Sequence, residues 1–359
     1  MLQDAINLRA INRVLVIKLR HHGDVLLSSP VFSLLKSHAP HLQIDALIYA
    51  ETREMLDMHP AISAIHVIDR SLKRQHLLVR LRAEWALFFT LRQRRYDLVI
   101  HLTEHPRGAW LTRLLGVPLS VAPQDHARGK WWQRSFTHFY KLPRGTPRHT
   151  VELNLDALRR IGVYPKSEQD KRLSLVPGDA ATARVRELLK QRGVYEKQYL
   201  LFHPTSRWLF KCWPEQLVAQ LINALQESGH SVVLTTAPDT MELAMAERIL
   251  QGLKKPIINL SGQLTFKEWA ALCAMARCLI SVDSAPMHIA AAMQTPVVAF
   301  FGPSSEMVWG PWQVPHRILS ADYSCRPCGN DGCGGGKVSE CLHAVTVEEA
   351  QRAIAELLA

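Results

Sequence analysis

The chain has 359 residues, of which 47% are hydrophobic, so it is long enough to form two domains with separate cores. No run of about 18 uncharged apolar residues is present, which excludes a typical transmembrane helix. The N-terminal region is interrupted by charges and lacks a small-residue cleavage site, so it does not resemble a secretory signal and we expect a cytoplasmic protein.

Positive charge is distributed unevenly along the chain. Residues 1–165 contain 24 Lys and Arg against 13 Asp and Glu, whereas residues 166–359 contain 19 of each kind. The net charge of +11 therefore belongs entirely to the first half. We expect this half to bind an anionic partner, such as nucleic acid, a membrane surface or a phosphorylated substrate.

Strand-like and helix-like segments alternate along residues 1–165. The predicted strands are 13–18, 42–49, 64–69 and 96–102, and the predicted helices are approximately 28–38, 51–58, 73–94, 107–116 and 149–161. The loop LRHHGD (19–24) connects the first strand to the first helix. This alternation is typical of a doubly wound α/β domain.

The alternation restarts after a polar segment, 166–177, which predicts a linker between domains 1–165 and 178–345. In the second domain the predicted strands are 199–204, 231–236, 256–260, 278–282 and 296–302, and the predicted helices lie near 180–192, 214–228, 240–252, 265–276 and 286–293. The last segment, 346–359, predicts an amphipathic helix capped by Thr346. Two such domains facing each other would bind ligands in a cleft at the carboxyl ends of both sheets.

The segment ISVDSAPMHIAAAM (280–293) predicts a strand that leads directly into a helix. We expect a tight turn with cap-forming side chains at Asp283, Ser284 and Ala285, and we place His288 in the first helical turn. Such a junction directs free backbone N–H groups and the positive end of a helix dipole at one point, which in α/β proteins usually binds phosphate. The alternative is an ordinary turn with a capping aspartate and a surface histidine.

The loop HPTSRWLFKCWP (203–214) follows another predicted strand and contains a second set of candidate phosphate ligands. Thr205 and Ser206 can donate hydroxyl and backbone hydrogen bonds, and Lys211 supplies a positive charge. Neither this loop nor the 283–288 turn matches a Walker or dinucleotide-binding motif. The alternative is a surface loop whose tryptophans fill the core.

Asp24 is the candidate general base of the N-terminal half. A carboxylate just before a helix is commonly a helix cap, and this is one interpretation of Asp24. Its expected position on the cleft, with His21 and His22 beside it, also suits an acid–base role. One carboxylate is enough for a reaction in which a single hydroxyl loses its proton as it attacks.

The seven cysteines fall into two groups. Cys212, Cys273 and Cys278 have apolar neighbours, and we expect them to fill the core. The other four form a C-x2-C-x4-C-x7-C pattern compatible with a zinc site, at Cys325, Cys328, Cys333 and Cys341. A zinc-knuckle protein that binds nucleic acid is therefore a rival interpretation, which we disfavour because the pattern lies in the neutral half and lacks the histidine of a true knuckle.

Three motifs together carry a resemblance to a known family. The GD after the first strand, the loop HPTSRWLFKCWP and the motif VDSAPMHIAAA followed by PVVAFFGPS resemble the lipopolysaccharide heptosyltransferase family over essentially the whole chain. Within it, the HHGDVLLSSPVFSLLK opening and the cysteine loop most resemble the members that add the side-branch heptose of the inner core.

The resemblance implies a fold and a reaction. It implies a GT-B glycosyltransferase fold, α/β in class, with two Rossmann-like doubly wound domains facing across a cleft. The C-terminal domain would bind the donor, ADP-L-glycero-D-manno-heptose, and the N-terminal domain would bind a lipid A–inner core acceptor. Transfer would invert the anomeric carbon. Another GT-B transferase that uses a different nucleotide sugar is the nearer alternative.

The resemblance also implies roles for single residues. Asp24 matches the catalytic base, and Lys211 matches the lysine that stabilises the leaving diphosphate. The expected donor-binding residues are Thr205, Ser206, Lys211, Asp239, Glu242, Asp283, Ser284, Ala285 and His288. Asp239 or Glu242 lies where the family holds the donor ribose, although TTAPDTMEL (235–243) departs from the glycine- and glutamate-rich pattern of the family.

We expect no cofactor and no metal. The charge on the leaving group can be carried by Lys211 and by backbone amides, and no D-x-D motif lies near the predicted site. The lack of a second paired carboxylate also fits a displacement in one step.

An inner-core acceptor carries phosphates and acidic sugars on a membrane-anchored lipid, which would account for the positive first half. The segment 126–148 mixes basic and aromatic residues, and we favour an acceptor-binding role for it over simple packing on the sheet. The expected acceptor-binding residues are His21, His22, Arg128, Lys130, Trp131 and Trp132.

The segment 73–95 predicts a basic amphipathic helix of the kind that can lie on an anionic membrane surface, although we expect it to pack on the sheet instead. The resemblance implies an enzyme peripheral to the cytoplasmic face of the inner membrane, with an anionic membrane surface but no nucleic acid among its partners.

Overall fold

The computed structural model describes residues 4–125, 127–142 and 147–359. The chain divides into two compact units, unit 1 (Met1–Val176) and unit 2 (Pro177–Ala359). Each unit contains a six-stranded sheet whose neighbouring strands are all parallel. Within the described residues, no helix has both the length and the apolar character needed to cross a membrane.

Unit 1 alternates strands and helices. Its strands are β1 (Arg13–Ile17), β2 (Gln43–Tyr49), β3 (Ala64–Ile68), β4 (Leu98–His101), β5 (Leu119–Pro123) and β6 (His138–Tyr140). Its α-helices are α1 (His22–Leu26), α2 (Ser29–His38), α3 (Leu77–Arg94), α4 (Pro106–Leu115), α5 (Gly129–Gln133) and α6 (Thr150–Arg159). Short 3-10 helices lie at Leu8–Ala10, Ala50–Met55, Arg70–Arg74 and Glu168–Lys171.

Unit 2 repeats this alternation. Its strands are β7 (Tyr199–His203), β8 (Ser231–Leu234), β9 (Ile258–Asn259), β10 (Cys278–Val282), β11 (Val297–Phe300) and β12 (His316–Leu319). Its α-helices are α7 (Asp179–Lys190), α8 (Glu215–Glu227), α9 (Thr240–Gln251), α10 (Phe266–Met275), α11 (Ala285–Ala292), α12 (Glu306–Trp309), α13 (Glu340–His343) and α14 (Val347–Leu358). Two 3-10 helices lie at Leu209–Lys211 and Cys333–Gly335.

Both sheets have the same strand order. Unit 1 has the order β3-β2-β1-β4-β5-β6, and unit 2 has the order β12-β11-β10-β7-β8-β9. If the strands of unit 2 are numbered from β7 and read from the β9 edge, their order is 3-2-1-4-5-6, as in unit 1. The predicted doubly wound α/β class is therefore confirmed. The order reverses between β1 and β4 and between β7 and β10, and ligands of such sheets bind at the carboxyl ends of the strands at this switch point.

The central strands are apolar because helices cover both faces of a parallel sheet. In β1, Val14 to Ile17 are all fully buried, and the same holds for Val297 to Phe300 of β11. In unit 2, the Trp213 ring stacks on Phe300 with 4.5 Å between centroids, and its indole N–H donates to Val345 O at 3.1 Å. The segment that follows β7 is therefore fixed at its far end by the core.

Several predicted elements differ from those observed. Gly23 and Asp24 lie inside the short helix α1 rather than in a loop. Part of the predicted helix 51–58 is a 3-10 helix. The predicted loop 126–148 contains α5 and β6, and β5 and β12 were also missed. Strands β6 and β12 are edge strands of 3 and 4 residues, too short for a periodic pattern to identify them.

The segment expected to be a linker is attached to unit 1 over most of its length. A reciprocal capping box between Ser167 and Asp170 begins its 3-10 helix. Lys171 pairs with Glu152 of α6 at 3.0 Å, and the Ser174 N–H donates to Ser29 Oγ at 2.9 Å. At the other end of the chain, α14 packs into the core of unit 2 and begins with a capping box between Thr346 and Glu349, as expected for Thr346.

Candidate active site

The two segments after β7 and β10 meet at the switch point of unit 2. The Lys211 ammonium lies 2.6 Å from Asp283 Oδ2, and this ion pair joins the two segments. The Asp283 side chain is only 6% exposed, whereas the Lys211 side chain is 23% exposed. Because an ammonium has three N–H donors, Lys211 can hold Asp283 and still offer donors to a ligand.

Helix α11 begins directly after Asp283. Ser284 precedes the helix and Ala285 is its first residue, and no side chain caps it. Asp283 pairs with Lys211, and Ser284 Oγ donates to Val282 O at 3.3 Å. The capping role expected for these two side chains is therefore wrong. The first N–H groups of a helix have no partner four residues back in the helix, so an anion can receive them. In α11, Pro286 has no N–H and the Met287 N–H donates to Ser284 O at 3.1 Å, so the Ala285 N–H is the group that this helix start offers to an anion.

His288 lies in the first turns of α11, as predicted, but it is not a surface residue. It is 3% exposed, and its ring centroid lies 6.5 Å from that of Trp309. Its ring is therefore buried behind the start of α11, near Trp309.

Thr205 and Ser206 begin the segment after β7, and both are buried. Thr205 Oγ1 donates to Glu242 Oε2 at 2.6 Å, and the Ala237 N–H donates to the same oxygen at 3.3 Å. Ser206 Oγ accepts from the Trp208 N–H at 3.3 Å. The structure thus brings Glu242, which is 4% exposed, to the segment after β7.

Asp239 has a different role from Glu242. It is exposed and caps α9, since its carboxylate accepts from the Met241 N–H at 2.9 Å and the Glu242 N–H at 3.4 Å. Of the two alternatives for the ribose position, Glu242 is the residue that contacts Thr205. We therefore retain Glu242 and regard Asp239 as a helix cap.

Two of the three cysteines expected to fill the core, Cys273 and Cys278, are fully buried, and Cys212 packs against the core of unit 2. In the four-cysteine pattern, Cys341 is buried and the other three are exposed. No three His, Cys, Asp or Glu residues are grouped as metal ligands within 4–125, 127–142 and 147–359. Ser339 Oγ, within this loop, donates to Phe210 O at 2.6 Å, which ties the loop to the segment that contains Lys211.

Asp24 lies at the corresponding switch point of unit 1. It is in the first turn of α1 and partly exposed, and the helix has no side-chain cap. His21 precedes the helix and is exposed, whereas the His22 Nε2–H donates to Glu51 O at 2.8 Å. Burial lowers the pKa of His22, which favours its neutral form.

Lys18, a buried lysine at the end of β1, was not predicted from the sequence. It is 5% exposed, and its ammonium donates to Asn154 Oδ1 at 2.9 Å and to Leu102 O at 3.4 Å. Burial lowers the pKa of Lys18 to about 8, while the Asp24 carboxylate opposes this shift. Its position after four buried strand residues was the available signal, because a side chain there is enclosed by the sheet and its covering helices.

The predicted acceptor segment is only partly consistent with its predicted role. His126 and residues 143–146 lie outside the described residues. Trp132 is fully buried and its indole N–H donates to Pro123 O at 3.0 Å, so it belongs to the core and its acceptor role is withdrawn. Arg128 pairs with Asp125 at 3.0 Å, and Lys130 is exposed.

Trp131 is partly exposed, and its ring centroid lies 4.9 Å from that of Trp110 on α4. This segment follows β5, so it extends from the same edge of the sheet as Asp24. Trp131, Arg128 and Lys130 therefore remain candidates for acceptor contacts.

Buried Lys18 predicts a specific pH dependence of stability. Its pKa is about 8 in the folded protein against 10.5 in an unfolded chain, so the unfolded state binds more protons between these values and this group's stability contribution rises with pH. The free energy of unfolding of the wild type relative to Lys18→Met should increase by about 2 kcal/mol from about pH 8 to pH 10. Urea unfolding of both proteins at each pH, followed by circular dichroism, measures this difference in the free energy of unfolding.

Lys190→Met on the surface of unit 2 controls for the loss of one lysine in this experiment. If the free energies of unfolding of the wild type and Lys18→Met change in parallel with pH, the lowered pKa of Lys18 would be contradicted.

Comparison with known proteins agrees with these observations. Residues 84–338 match the family Glycosyltransferase family 9 (heptosyltransferase). Lipopolysaccharide heptosyltransferase 3 of Escherichia coli is 38% identical over 296 residues, covering 82% of this chain and 84% of that protein. Lipopolysaccharide heptosyltransferase 1 of Pseudomonas aeruginosa is 29% identical over 328 residues, covering 89% of this chain and 87% of that protein.

Solved structures agree in fold. A family 9 glycosyl transferase from Veillonella parvula superposes with a TM-score of 0.84 at 22% identity, covering 99% of both chains. An E. coli heptosyltransferase solved with ADP superposes with a TM-score of 0.74 at 20% identity, covering 96% of this chain and 99% of that one. The chain therefore has the GT-B fold and belongs to glycosyltransferase family 9, the heptosyltransferases.

Proposed function

We propose that this chain transfers L-glycero-D-manno-heptose from ADP-heptose to a heptose of the lipopolysaccharide inner core, with inversion, as a heptosyltransferase 3. The observation that carries the proposal is the Lys211–Asp283 pair beside the start of α11. The 38% identity to E. coli lipopolysaccharide heptosyltransferase 3 supports the choice of donor and acceptor. The related E. coli heptosyltransferase solved with ADP supports an adenine nucleotide.

In this proposal unit 2 binds the donor. The Ala285 N–H at the start of α11 and the Lys211 ammonium hold the diphosphate, since both place positive charge at one point. Glu242, fixed by Thr205, is positioned for the ribose hydroxyls, for which a carboxylate is a suitable acceptor. Ser206, Ser284, Ala285 and His288 shape the same site.

In the reaction, the acceptor hydroxyl attacks the anomeric carbon as the bond from that carbon to the diphosphate oxygen breaks. Asp24 takes the proton of the attacking hydroxyl, and ADP leaves with the bonding electrons. Negative charge then grows on the diphosphate, and Lys211 stabilises it more in the transition state than in the ground state. Because fixed donors carry this charge, the proposal requires no metal.

We place the acceptor on unit 1. The charge excess of residues 1–165 suits an inner core that bears phosphates and acidic sugars. His21, Arg128, Lys130 and Trp131 are the described residues that we propose to contact it, and His22 positions α1. Since this acceptor is lipid-linked, the enzyme would act at the cytoplasmic face of the inner membrane as a peripheral protein.

A direct assay tests the proposal. The protein is incubated in EDTA with ADP-heptose and a lipid A–core acceptor that lacks the side-branch heptose, and ADP release and acceptor mass are measured. A mass gain of one heptose is expected. ADP binding without transfer would contradict the proposed acceptor, loss of activity that Mg²⁺ restores would contradict metal independence, and absence of both binding and transfer would contradict the proposed donor.

Asp24→Asn tests the general base. The amide keeps the size of the side chain but cannot accept a proton, so kcat should fall by about 10²-fold or more while ADP affinity changes little. Asp57→Asn, at a partly exposed carboxylate elsewhere in unit 1 that pairs with Arg53, should behave as the wild type. Full turnover by Asp24→Asn would remove Asp24 from the mechanism.

Lys211→Met tests the leaving-group role. We expect weaker ADP binding and a fall in kcat of about 10²-fold, because one fixed charge at the diphosphate is lost. The single substitution leaves Asp283 buried without its cation, so Lys211→Met/Asp283→Asn separates catalysis from folding. Lys254→Met, which removes a surface pair with Glu227, is the matched control. Wild-type kinetics in the double variant would show that the pair is only structural.

A further inference from the structure

One side of helix α3 attaches it to unit 1. Leu91 is fully buried, and Leu87 packs against the same core cluster. Near the end of the helix, Arg94 donates two hydrogen bonds to the buried Asp45 carboxylate, at 2.8 and 2.9 Å. The packing expected for this helix is thus provided by one face of its C-terminal half.

A second apolar face of α3 is exposed to solvent. Four of its side chains are spaced four residues apart, and Leu78 lies beside them. We call this set the α3 stripe: Leu77, Leu78, Leu81, Trp85 and Phe89. Their exposed fractions run from 45% for Leu81 to 69% for Leu78. An α-helix turns about 100° per residue, so the stripe lies on roughly the opposite side from the core-packing face.

The aromatic members of the stripe contact each other. The Trp85 and Phe89 rings are stacked with 5.7 Å between centroids, and the partly buried Phe88 ring lies 6.0 Å from Trp85 in an edge-on arrangement. The stripe is therefore a continuous apolar surface rather than scattered exposed side chains, and such surfaces commonly mark interaction sites.

Positive charge borders the α3 stripe. Residues 73–95 contain seven Lys and Arg but one acidic residue, Glu84, which pairs with Arg107 of α4. By helical geometry Arg82 and Arg92 lie along the stripe, and the part of the chain that the structure describes contains no carboxylate paired with either of them.

We propose that the α3 stripe docks this protein on an anionic lipid surface. A helix with exposed leucine and aromatic side chains and arginines at its margin has the composition of helices that lie in the membrane interface. The positive charge of the arginines is complementary to the negative charge of acidic headgroups. The inference rests on the proposed function only for the view that the acceptor is lipid-borne; the surface itself is independent of the donor site.

A second copy of this chain fits the surface less well. Two such helices would bring their uncompensated arginines together, and like charges at an interface oppose association. Charge complementarity therefore favours lipid over self-association.

Vesicle cosedimentation of the full-length protein tests the proposal. Vesicles of phosphatidylcholine alone are compared with vesicles that also contain phosphatidylglycerol, at low and high salt. Trp85→Ser/Phe89→Ser removes the aromatic part of the stripe at half-exposed positions. Tyr195→Ser/Met241→Ser, at 58% and 59% exposed positions in unit 2, is the matched control.

The wild type and the control should bind vesicles that contain phosphatidylglycerol and bind neutral vesicles weakly, with binding reduced by salt. The stripe variant should bind at least about tenfold more weakly. Equal binding by variant and wild type, or no preference for the acidic lipid, would overturn the proposal. Dimers that sedimentation detects in the wild type but not in the stripe variant would assign the surface to a second copy and also overturn it.

Arg82→Gln/Arg92→Gln tests the charge, with Lys190→Gln/Arg192→Gln in unit 2 as its control. Only the first pair should weaken binding to the acidic vesicles, and equal effects would contradict the role of α3. Transfer to a delipidated acceptor is measured in parallel for every variant. If the wild type binds vesicles but does not transfer heptose, the proposed function fails while the docking surface stands.

Discussion

The ion pair between Lys211 and Asp283 is the contact on which the candidate site depends. It joins the segments that follow β7 and β10, the two strands between which the strand order of unit 2 reverses. Burying a carboxylate without a cation costs folding free energy, so the pair keeps the Lys211 ammonium beside Asp283. Trp213, stacked on Phe300, and Ser339, bonded to Phe210 O, fix the same segment from the core and from the cysteine loop. The lysine is thereby held at the start of α11 before any ligand arrives, which lowers the reorganisation that catalysis would require.

Much of this arrangement was predictable from the sequence. The alternation of apolar runs with periodic helices predicted the doubly wound class, and the position of DSAPMH between a strand and a helix predicted the start of α11. Side-chain partners were less predictable, because they depend on which segments the sheet order brings together. Nothing in the local sequence indicates that Asp283 pairs with Lys211, 72 positions away, instead of capping its own helix. The choice of Glu242 over Asp239 for the ribose position also depends on the fold, because the fold places Thr205 beside Glu242.

Burial was the hardest property to predict in unit 1. Trp132 is one of two adjacent tryptophans, and composition alone does not indicate which of them enters the core. Lys18 continues an apolar strand, and its charge is accommodated by Asn154 and Leu102 O rather than by solvent. Helix α3 shows the opposite case, because its leucines and aromatics suggested packing and yet only one face of the helix is covered.

A crystal structure of the full-length protein with ADP would test the central claim most directly. We predict that the diphosphate lies within hydrogen-bond distance of the Lys211 ammonium and of the Ala285 N–H at the start of α11, with the ribose near Glu242. ADP bound elsewhere, or bound with Lys211 still engaged only by Asp283, would contradict the account.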